Sequence, residues 1–312
     1  MVDRRLRIKI LIGAFAILVA GVSLWSELPR QDESTPQGST ADDAGDRPRE
    51  MSFSNVEVFR ISSSSIPVRL RAGDGPPSAA IHGPDTLWLT GSQTGGIAEV
   101  EVSGGATPGP NVRLDIFVSV PIVVEVDAPF GGVDAEGVAI SSLTAESASG
   151  DITVRDVTAD LRLETSSGSI TAVDIAVPGA AGADDPAEDG SGDLFGDGAI
   201  GSVGGGGVRV ASSSGAIVLT RVQRLELADT ASGSITGTEI VAGESMEIDS
   251  ASGSIDLQLA HSPAELTLTV GRSRGAVRIN GEEFADEVAI GSGSVAVTVD
   301  SAFGDITIDT RP

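Results

Sequence analysis

The chain has 312 residues, enough for one large domain or two ordinary ones, and its 45 acidic and 20 basic side chains give a net charge of −25. This balance argues strongly against a nucleic-acid partner, because nucleic acids bind basic surfaces. The absence of cysteine excludes disulfides, a cysteine nucleophile, thiolate metal sites and a lipid anchor on cysteine. Aromatic residues make up only 3% of the chain, which favours a narrow aliphatic core.

The first 26 residues predict a segment that enters a membrane. Basic residues between positions 4 and 9 precede an apolar run from Ile10 to Trp25, which is typical of an export signal or a single membrane anchor. The run is slightly short for a span, but Lys9 can extend its charge to the interface. We expect residues 1–26 to form an uncleaved signal-anchor with one transmembrane helix, with a cleaved signal as the alternative. Either way, the positive N-terminus predicts that the rest of the chain lies outside the cytoplasm at the cell membrane.

Residues 27–50 predict a disordered linker. They contain three prolines and seven acidic residues, and they show no apolar periodicity. Such a composition cannot bury enough apolar surface to fold, so this segment is expected to act as a flexible tether. Residues 51–312 then form the predicted domain.

Short strands separated by Gly- and Pro-rich turns are predicted from Phe53 onward, and no stretch after residue 26 has helical spacing. The spacing is irregular as far as about Phe130, so we interpret this part as entry coils or a strand-rich cap. Beyond it, a cluster of small residues that ends in glycine is followed by a short alternating apolar run. The glycines of these units are Gly150, Gly168, Gly215, Gly233, Gly253, Gly275, Gly293 and Gly304.

A repeat near 20 residues is typical of a solenoid. We therefore predict an all-β fold, a single-stranded parallel β-solenoid with coils of about 18–22 residues. In the Gly253 unit, Ile255, Leu257 and Leu259 alternate with polar residues and are expected to point inward. Each coil carries two strands, and the glycine marks a corner that needs either a positive φ or the absence of a side chain. If coils stack in chain order, Asp309–Pro312 lies at an open edge that its charges and proline would blunt.

An acidic Gly/Asp-rich insert, residues 174–207, interrupts the repeats between Gly168 and Gly215. Its aspartates could bind calcium, but the tandem nonapeptide spacing of calcium-binding Gly-Asp repeats is absent, so a solvated loop is favoured. The candidate ligands are Asp184, Asp185, Asp189, Asp193 and Asp197.

The SxSGxI units, the LDIFVSVP segment at Leu114–Pro121 and the predicted anchor resemble the bacterial putative-adhesin family of β-strand-repeat domains, a domain of unknown function. The chain is also similar to head domains of auto-transporter adhesins. The resemblance extends from about Val56 to Asp309. It implies a β-solenoid on the outer side of a membrane, and it brings no catalytic residues.

Catalytic candidates are few. His82 and His261 are the only histidines, and each lies beside a Pro-containing turn, so both are expected to be exposed turn residues. A Ser-His-Asp triad is arithmetically possible, but no GxSxG nucleophile sequence accompanies it. No cofactor or metal is predicted.

The outward positions after each corner form the candidate binding face. Stacked coils would align small and polar side chains into rows, which could dock a partner or a glycan, although small residues that merely fit a tight corner are favoured. An ice-binding face would need an unbroken Thr row, which Val218, Asp256, Arg278 and Ala296 interrupt. The candidate face residues are Asp151, Thr153, Ser169, Thr171, Ser234, Thr236, Ser254 and Asp256.

These features predict a membrane-tethered extracytoplasmic β-solenoid that acts as a non-enzymatic interaction or adhesion module. Its partner would be an envelope protein or a surface glycan. The alternative is an accessory or sensory component of an envelope-stress response, because a cytoplasmic tail of nine residues cannot signal alone. A glycan-active β-helix enzyme is the remote alternative, since it would need carboxylates and basic residues clustered on one lateral face.

Overall fold

The computed structural model describes most of the chain from residue 48 onward, and every described residue belongs to one compact unit. Each regular element in these ranges is a β-strand, which confirms the all-β prediction. The predicted anchor, nearly all of the linker and most of the acidic insert lie outside the described residues. In the part of the chain that is described, no helix is long and apolar enough to cross a membrane. The described ranges are 48–104, 109, 111–119, 121–178, 206–271, 273–285 and 287–311.

The described residues form 24 strands that hydrogen-bond into one sheet. In chain order the strands are β1 (Glu50–Ser52), β2 (Val58–Ser62), β3 (Val68–Ala72), β4 (Ser78–His82), β5 (Leu87–Thr94), β6 (Ile97–Gly104), β7 (Arg113–Val118), β8 (Val123–Asp127), β9 (Val133–Glu136), β10 (Ala139–Ser147), β11 (Ile152–Thr165), β12 (Ile170–Ala176), β13 (Val208–Ser212), β14 (Ile217–Val222), β15 (Leu225–Thr230), β16 (Ile235–Ile240), β17 (Ala242–Ser250), β18 (Ile255–Leu259), β19 (Leu266–Val270), β20 (Val277–Ile279), β21 (Glu282–Phe284), β22 (Val288–Ile290), β23 (Val295–Ser301) and β24 (Ile306–Thr310).

Most of these strands belong to two parallel columns. Column A, in spatial order, is β7, β3, β9, the first half of β11, β12, β14, β16, β18, β24 and β20. Column B is β6, β2, β8, β10, the second half of β11, β13, β15, β17, β23 and β19. Ile152 pairs with Ile170, and Ile170 pairs with Ile217. Equivalent positions of successive repeats therefore lie about 4.8 Å apart.

The core is aliphatic and follows the predicted alternation. In β18 the side chains of Ile255, Leu257 and Leu259 are buried, while Asp256 and Gln258 are exposed. Phe59 is the one aromatic side chain among the largest fully buried ones in the described residues. Burial of each aliphatic side chain contributes about 1.5–3 kcal/mol, and each coil supplies only a few, so the coils depend on their neighbours for a core.

The stacking order differs from the chain order, and this corrects the predicted ladder. β24 pairs with β18 on one side and with β20 on the other, and β23 lies between β17 and β19 in the same way. The prediction that Asp309–Pro312 follows a strand at an open edge is therefore wrong. Ile306 and Ile308 in the last strand are fully buried, because a coil covers each side of β24.

Antiparallel strands cover both ends of the columns. At one end β21 pairs with β20 and β22 pairs with β19. At the other end β5 pairs with β6, β4 pairs with β7, and β1 pairs with β4. At each end, the coil nearest the chain terminus is not the outermost coil. β23 and β24 lie inside β19 and β20, and β2 and β3 lie inside β6 and β7. Apart from β1, the strands of each cap lie between these two coils in the chain. Such caps protect strand edges that would otherwise pair with other chains.

Each corner glycine is required by a close backbone approach. None of the corner glycines has a positive φ. A Cβ added at each stacked corner glycine except the first, Gly131, would come closer than 3.0 Å to the carbonyl oxygen of the neighbouring corner glycine; at Gly131 it would meet the Ile66 carbonyl oxygen instead. The structure thus decides between the two reasons for glycine that the sequence left open: the corner has no room for a side chain. In spatial order the stacked glycines are Gly131, Gly150, Gly168, Gly215, Gly233, Gly253, Gly304 and Gly275. The prediction that Gly293 belongs to the same series is wrong, because Gly293 precedes β23 in column B and a Cβ there would meet Glu265.

A buried hydroxyl three residues before most of these glycines joins one coil to the next. Thr165 Oγ1 accepts a hydrogen bond from Gly168 N–H at 3.0 Å and donates one to the Gly150 carbonyl oxygen at 3.3 Å. Each hydroxyl thereby satisfies one donor of its own coil and one acceptor of the neighbouring coil. We call this row the hydroxyl ladder; it consists of Ser147, Thr165, Ser212, Thr230, Ser250 and Ser301.

Gly168→Ala is expected to lower the free energy of unfolding by about 3 kcal/mol, because its Cβ would overlap backbone atoms of the Gly150 corner that cannot move independently. Urea unfolding followed by circular dichroism measures the change. Gly75→Ala is the control, since a Cβ there meets nothing within 4 Å. Equal losses in the two variants would contradict the close-approach explanation.

Thr165→Val keeps the shape of the side chain but removes its hydroxyl. The Gly168 N–H and the Gly150 carbonyl would each lose a partner, so we expect the free energy of unfolding to fall by about 1–3 kcal/mol. Thr171→Val, on an outward side chain of the neighbouring strand, is the matched control and should change it by less than about 0.5 kcal/mol. If the hydroxyl ladder did not contribute to stability, both variants would show the same small change in the free energy of unfolding.

Candidate functional site

The predicted face residues that follow the corners divide into two rows on column A. The first row lies at the corner itself, where each backbone carbonyl accepts a hydrogen bond from an N–H of a neighbouring coil. For example, the Ile152 N–H donates to the Ser169 carbonyl oxygen at 2.9 Å. Asp151 Oδ1 also accepts the Ser169 N–H at 2.8 Å. At Asp151 the carboxylate therefore holds the neighbouring coil. In spatial order this row is Asp151, Ser169, Ala216, Ser234, Ser254, Asp305 and Ala276.

The second row lies two residues further along the strands. Its stacking corrects the order assumed from the sequence, because Thr307 lies between Asp256 and Arg278. Ala296 belongs to β23 in column B, so it does not interrupt this row. The structure thus places Thr153, Thr171, Thr236 and Asp256 in one row, as predicted; their role in binding remains a prediction. From β11 to β20 the row is Thr153, Thr171, Val218, Thr236, Asp256, Thr307 and Arg278, and beyond Thr153 it continues with Asp134, Arg69 and Asp115.

A parallel row on the same face contains Arg155, Val173, Thr220 and Thr238. Over β12, β14 and β16 the two rows present only Thr and Val, and Val218 is 38% exposed. In the neighbouring strands, Arg155 and Asp256 carry the first charges on either side; along the strands, the charged bulge residues Asp174, Arg221 and Glu239 follow directly. We call this area the uncharged patch; it consists of Thr171, Val173, Val218, Thr220, Thr236 and Thr238.

Column B has a different surface. The outward position just before the hydroxyl ladder is acidic in most coils, and the pairing places these carboxyl groups side by side. Burial raises the pKa of Glu146, and the neighbouring charges of Glu164 and Asp127 raise it further. Burial also raises the pKa of Asp127 and of Asp229. We call this row the acidic row; it is Asp127, Glu146, Glu164, Ala211, Asp229, Asp249 and Asp300.

The acidic row was not predicted from the sequence, although the sequence contains a local signal for it. An acid directly precedes the Ser or Thr of the corner in ESASG, ETSSG, DTASG, DSASG and DSAFG. In-register like charges are destabilising neighbours in a sheet. No group of three or more His, Asp or Glu residues in the described ranges is arranged to hold a metal ion. The five aspartates proposed as calcium ligands lie outside those ranges.

The second corner of several coils contains a bulge with a residue in the left-handed region, where non-glycine side chains are strained. This bulge recurs in β11, β12, β14 and β16, at Asp156, Asp174, Arg221 and Glu239. The Arg221 guanidinium forms an ion pair with Asp174. Its hydrogen bond holds the pKa of the Asp174 carboxyl below the usual value.

The last residues of β14, β16, β18 and β24, with the residues that follow them, surround an open groove of about 450 Å³. Its lining combines the apolar residues Val241, Leu259 and Ala260 with side chains that carry amide, carboxylate and guanidinium groups. All residues that line the groove belong to the part of the chain that the structure describes, and none of them is aromatic.

The prediction that both histidines are exposed turn residues holds only in part: His82 is exposed but ends a strand, and His261 is half-buried. His82 is the last residue of β4; its side chain is 45% exposed, and its Nε2 lies 2.9 Å from Asp115 Oδ2. Arg113 also contacts this carboxylate, at 3.0 Å. The His261 side chain is only 17% exposed, and its Nε2 accepts the Ala242 N–H at 3.1 Å. Both imidazoles therefore help to hold neighbouring segments together.

The fold and its surfaces define an all-β strand-repeat domain whose corners carry stacked glycines. The family model described as Toastrack DUF4097 matches residues 136–309, which is more than half of the chain, so the chain belongs to this family. The match confirms the resemblance to an adhesin-like domain family of unknown function. No curated protein matches the chain.

Three solved structures to which the chain is similar carry adhesion-related names. A putative adhesin from Bacteroides fragilis is 14% identical, with 84% of this chain and 95% of that chain covered and a TM-score of 0.41. A putative adhesin from Parabacteroides distasonis is 11% identical over the same shares, with a TM-score of 0.36. A putative cell adhesion protein from Clostridium sporogenes is 10% identical, with 85% and 100% covered and a TM-score of 0.25. These values are too low to carry a conclusion about function.

Glu146→Gln is expected to raise the free energy of unfolding at pH 7 by about 0.5 kcal/mol, because it removes a carboxylate charge that is partly buried and that lies beside other carboxylates of the acidic row. A carboxyl whose pKa is raised in the folded state stabilises the fold most below its unfolded pKa, and this contribution is lost as pH rises through the folded pKa. The gain should therefore vanish below about pH 4, where the carboxyl is protonated in both states. Urea unfolding across this pH range tests it.

Glu244→Gln changes an exposed carboxyl and serves as the control, with little expected effect at either pH. An equal gain at low and neutral pH in Glu146→Gln would show that charge repulsion is not its cause.

Proposed function

We propose that the chain is a membrane-tethered, extracytoplasmic β-solenoid that acts as a non-enzymatic interaction or adhesion module. The parallel columns support the solenoid, because nearly every coil pairs with its neighbour at equivalent repeat positions. The apolar run after basic residues in the first 26 positions supports the tether. Membership of the Toastrack DUF4097 family is consistent with an adhesin-like role.

The observation that carries the interaction role is the uncharged patch. The chain has a net charge of −25, so a face of Thr and Val alone is unusual on its surface. Binding at this patch would not require desolvation of a carboxylate, and its β-branched side chains are stiff, so little side-chain entropy is lost on contact. Arg155 and Asp256 on opposite sides supply charges that can orient a partner.

The two interaction roles predict different partners. An adhesive or structural module binds surface glycan or other copies of itself. A component of an envelope-stress response instead binds a particular membrane protein.

Crosslinking in native membranes, followed by recovery of the full chain through a C-terminal tag, tests the proposal. We expect Thr236→Glu, which places a charge in the uncharged patch, to reduce the recovered partner about tenfold. Ser245→Glu adds the same charge to an exposed outward position of column B and should leave recovery unchanged.

Capture of one membrane protein in fixed ratio would favour the stress-response role, while capture of glycan or of the chain itself would favour adhesion. Equal recovery in the two variants would contradict the role of the patch, and the absence of any crosslinked species would contradict the interaction module.

A further inference from the structure

The groove at the second corner arises where the repeat changes. In β16, Gly237 pairs with Leu257 and Ile240 pairs with Leu259, so β16 has one residue more than β18 between these positions. β18 and β24 pair without such a shift. The bulged coils therefore end at β16, and straight coils begin at β18. Because the outline of the corner changes between them, the side chains no longer stack directly, and a groove remains.

The size of the groove suits a short linear ligand. It runs across four successive coils, β14, β16, β18 and β24, which corresponds to a length of about 14 Å at the usual strand spacing. Its volume of about 450 Å³ lies in the range of small-molecule sites. One pyranose ring has a length similar to the spacing between coils, so about three linked rings would place one ring at each step between neighbouring coils.

The lining combines an apolar floor with polar groups that bind hydroxyls. Val241 and Ala260, which are half-buried, offer aliphatic surface to the C–H face of a sugar ring. The exposed amides of Gln223 and Gln258 can each donate and accept hydrogen bonds at the ring edge. The carboxylate of Glu239 can accept bonds from two hydroxyl groups.

The charges of the groove favour an uncharged ligand. Arg221 is already bound to Asp174, so its charge is compensated. Of the remaining lining groups, Glu239 and Asp309 are acidic and Arg311 is basic. A phosphate or carboxylate ligand would meet an excess of negative charge, whereas neutral hydroxyl groups can pair with all three side chains.

We propose that this groove binds an uncharged saccharide of about three pyranose units. The proposal rests on the function as an interaction module and names a ligand class for it, at a site separate from the uncharged patch. Because no aromatic ring lines the groove to stack on a sugar, affinity at one site is weak, with a Kd of about 1 mM. Many tethered copies on one membrane would increase the total binding strength.

Titration of the full chain with maltotriose, cellotriose and N-acetylated chitotriose, followed by ligand-observed NMR, tests this proposal. At least one trisaccharide should bind with a Kd of about 1 mM. Glu239→Gln and Gln258→Ala should each weaken that binding about tenfold, which corresponds to the loss of a good polar contact. Glu247→Gln, an equivalent change at an exposed position of column B, should leave it unchanged.

Failure of all three trisaccharides to bind at about 10 mM, or binding that the groove variants do not weaken, would overturn the proposal. These failures are separable from failure of the interaction module. If the crosslinked partner is still lost in Thr236→Glu while no trisaccharide binds, the groove proposal is wrong and the module stands. If trisaccharides bind but no partner is captured by crosslinking, the groove proposal stands and the proposed role of the uncharged patch is wrong.

Discussion

The structure depends on the contact between stacked corner glycines. The carbonyl oxygen of each corner glycine lies where a Cβ of the neighbouring corner would be, and in most coils it accepts a hydrogen bond from a buried hydroxyl such as Thr165. This contact brings the backbones of adjacent coils together and fixes their register. A register slip of one residue would move every apolar side chain to the outer face, so the corner also determines which residues form the core.

A fixed register has consequences for the surface. Equivalent positions of successive coils lie side by side, so a preference at one repeat position becomes a continuous row. On column B this produces the acidic row, in which burial and neighbouring carboxylates raise the pKa of Glu146. On column A it produces the uncharged patch around Val218. The two columns therefore differ in charge although the same corners build them, and this difference supports a partner on column A.

The irregular parts of the structure carry the other distinctive features. Where the bulge at Glu239 has no equivalent in β18, the second corner opens into a groove with mixed polar and apolar lining. At both ends, antiparallel caps replace the parallel coils and cover edges that would otherwise pair with other chains. His82 and His261 contribute at such non-repeating segments, where they hold β7 and the start of β17 in place.

The sequence by itself determined most strands, the inward positions and seven of the eight stacked corner glycines, because these depend on local alternation and on a period that needs no long-range information. Gly131 was not predicted and Gly293 was predicted wrongly, because only the stacking shows which glycine lies against another coil. It also placed Thr153, Thr171 and Thr236 in one row. The order of the coils was decided only by the tertiary structure. The Gly275 and Gly304 units have similar local sequences, so either could stack on the same neighbouring coil. Only the antiparallel cap between them places β24 inside column A and β20 at its end. The role of Ser147 or Thr165 was hidden for a similar reason: a small residue before a corner becomes a bridging hydroxyl only when another coil lies against it.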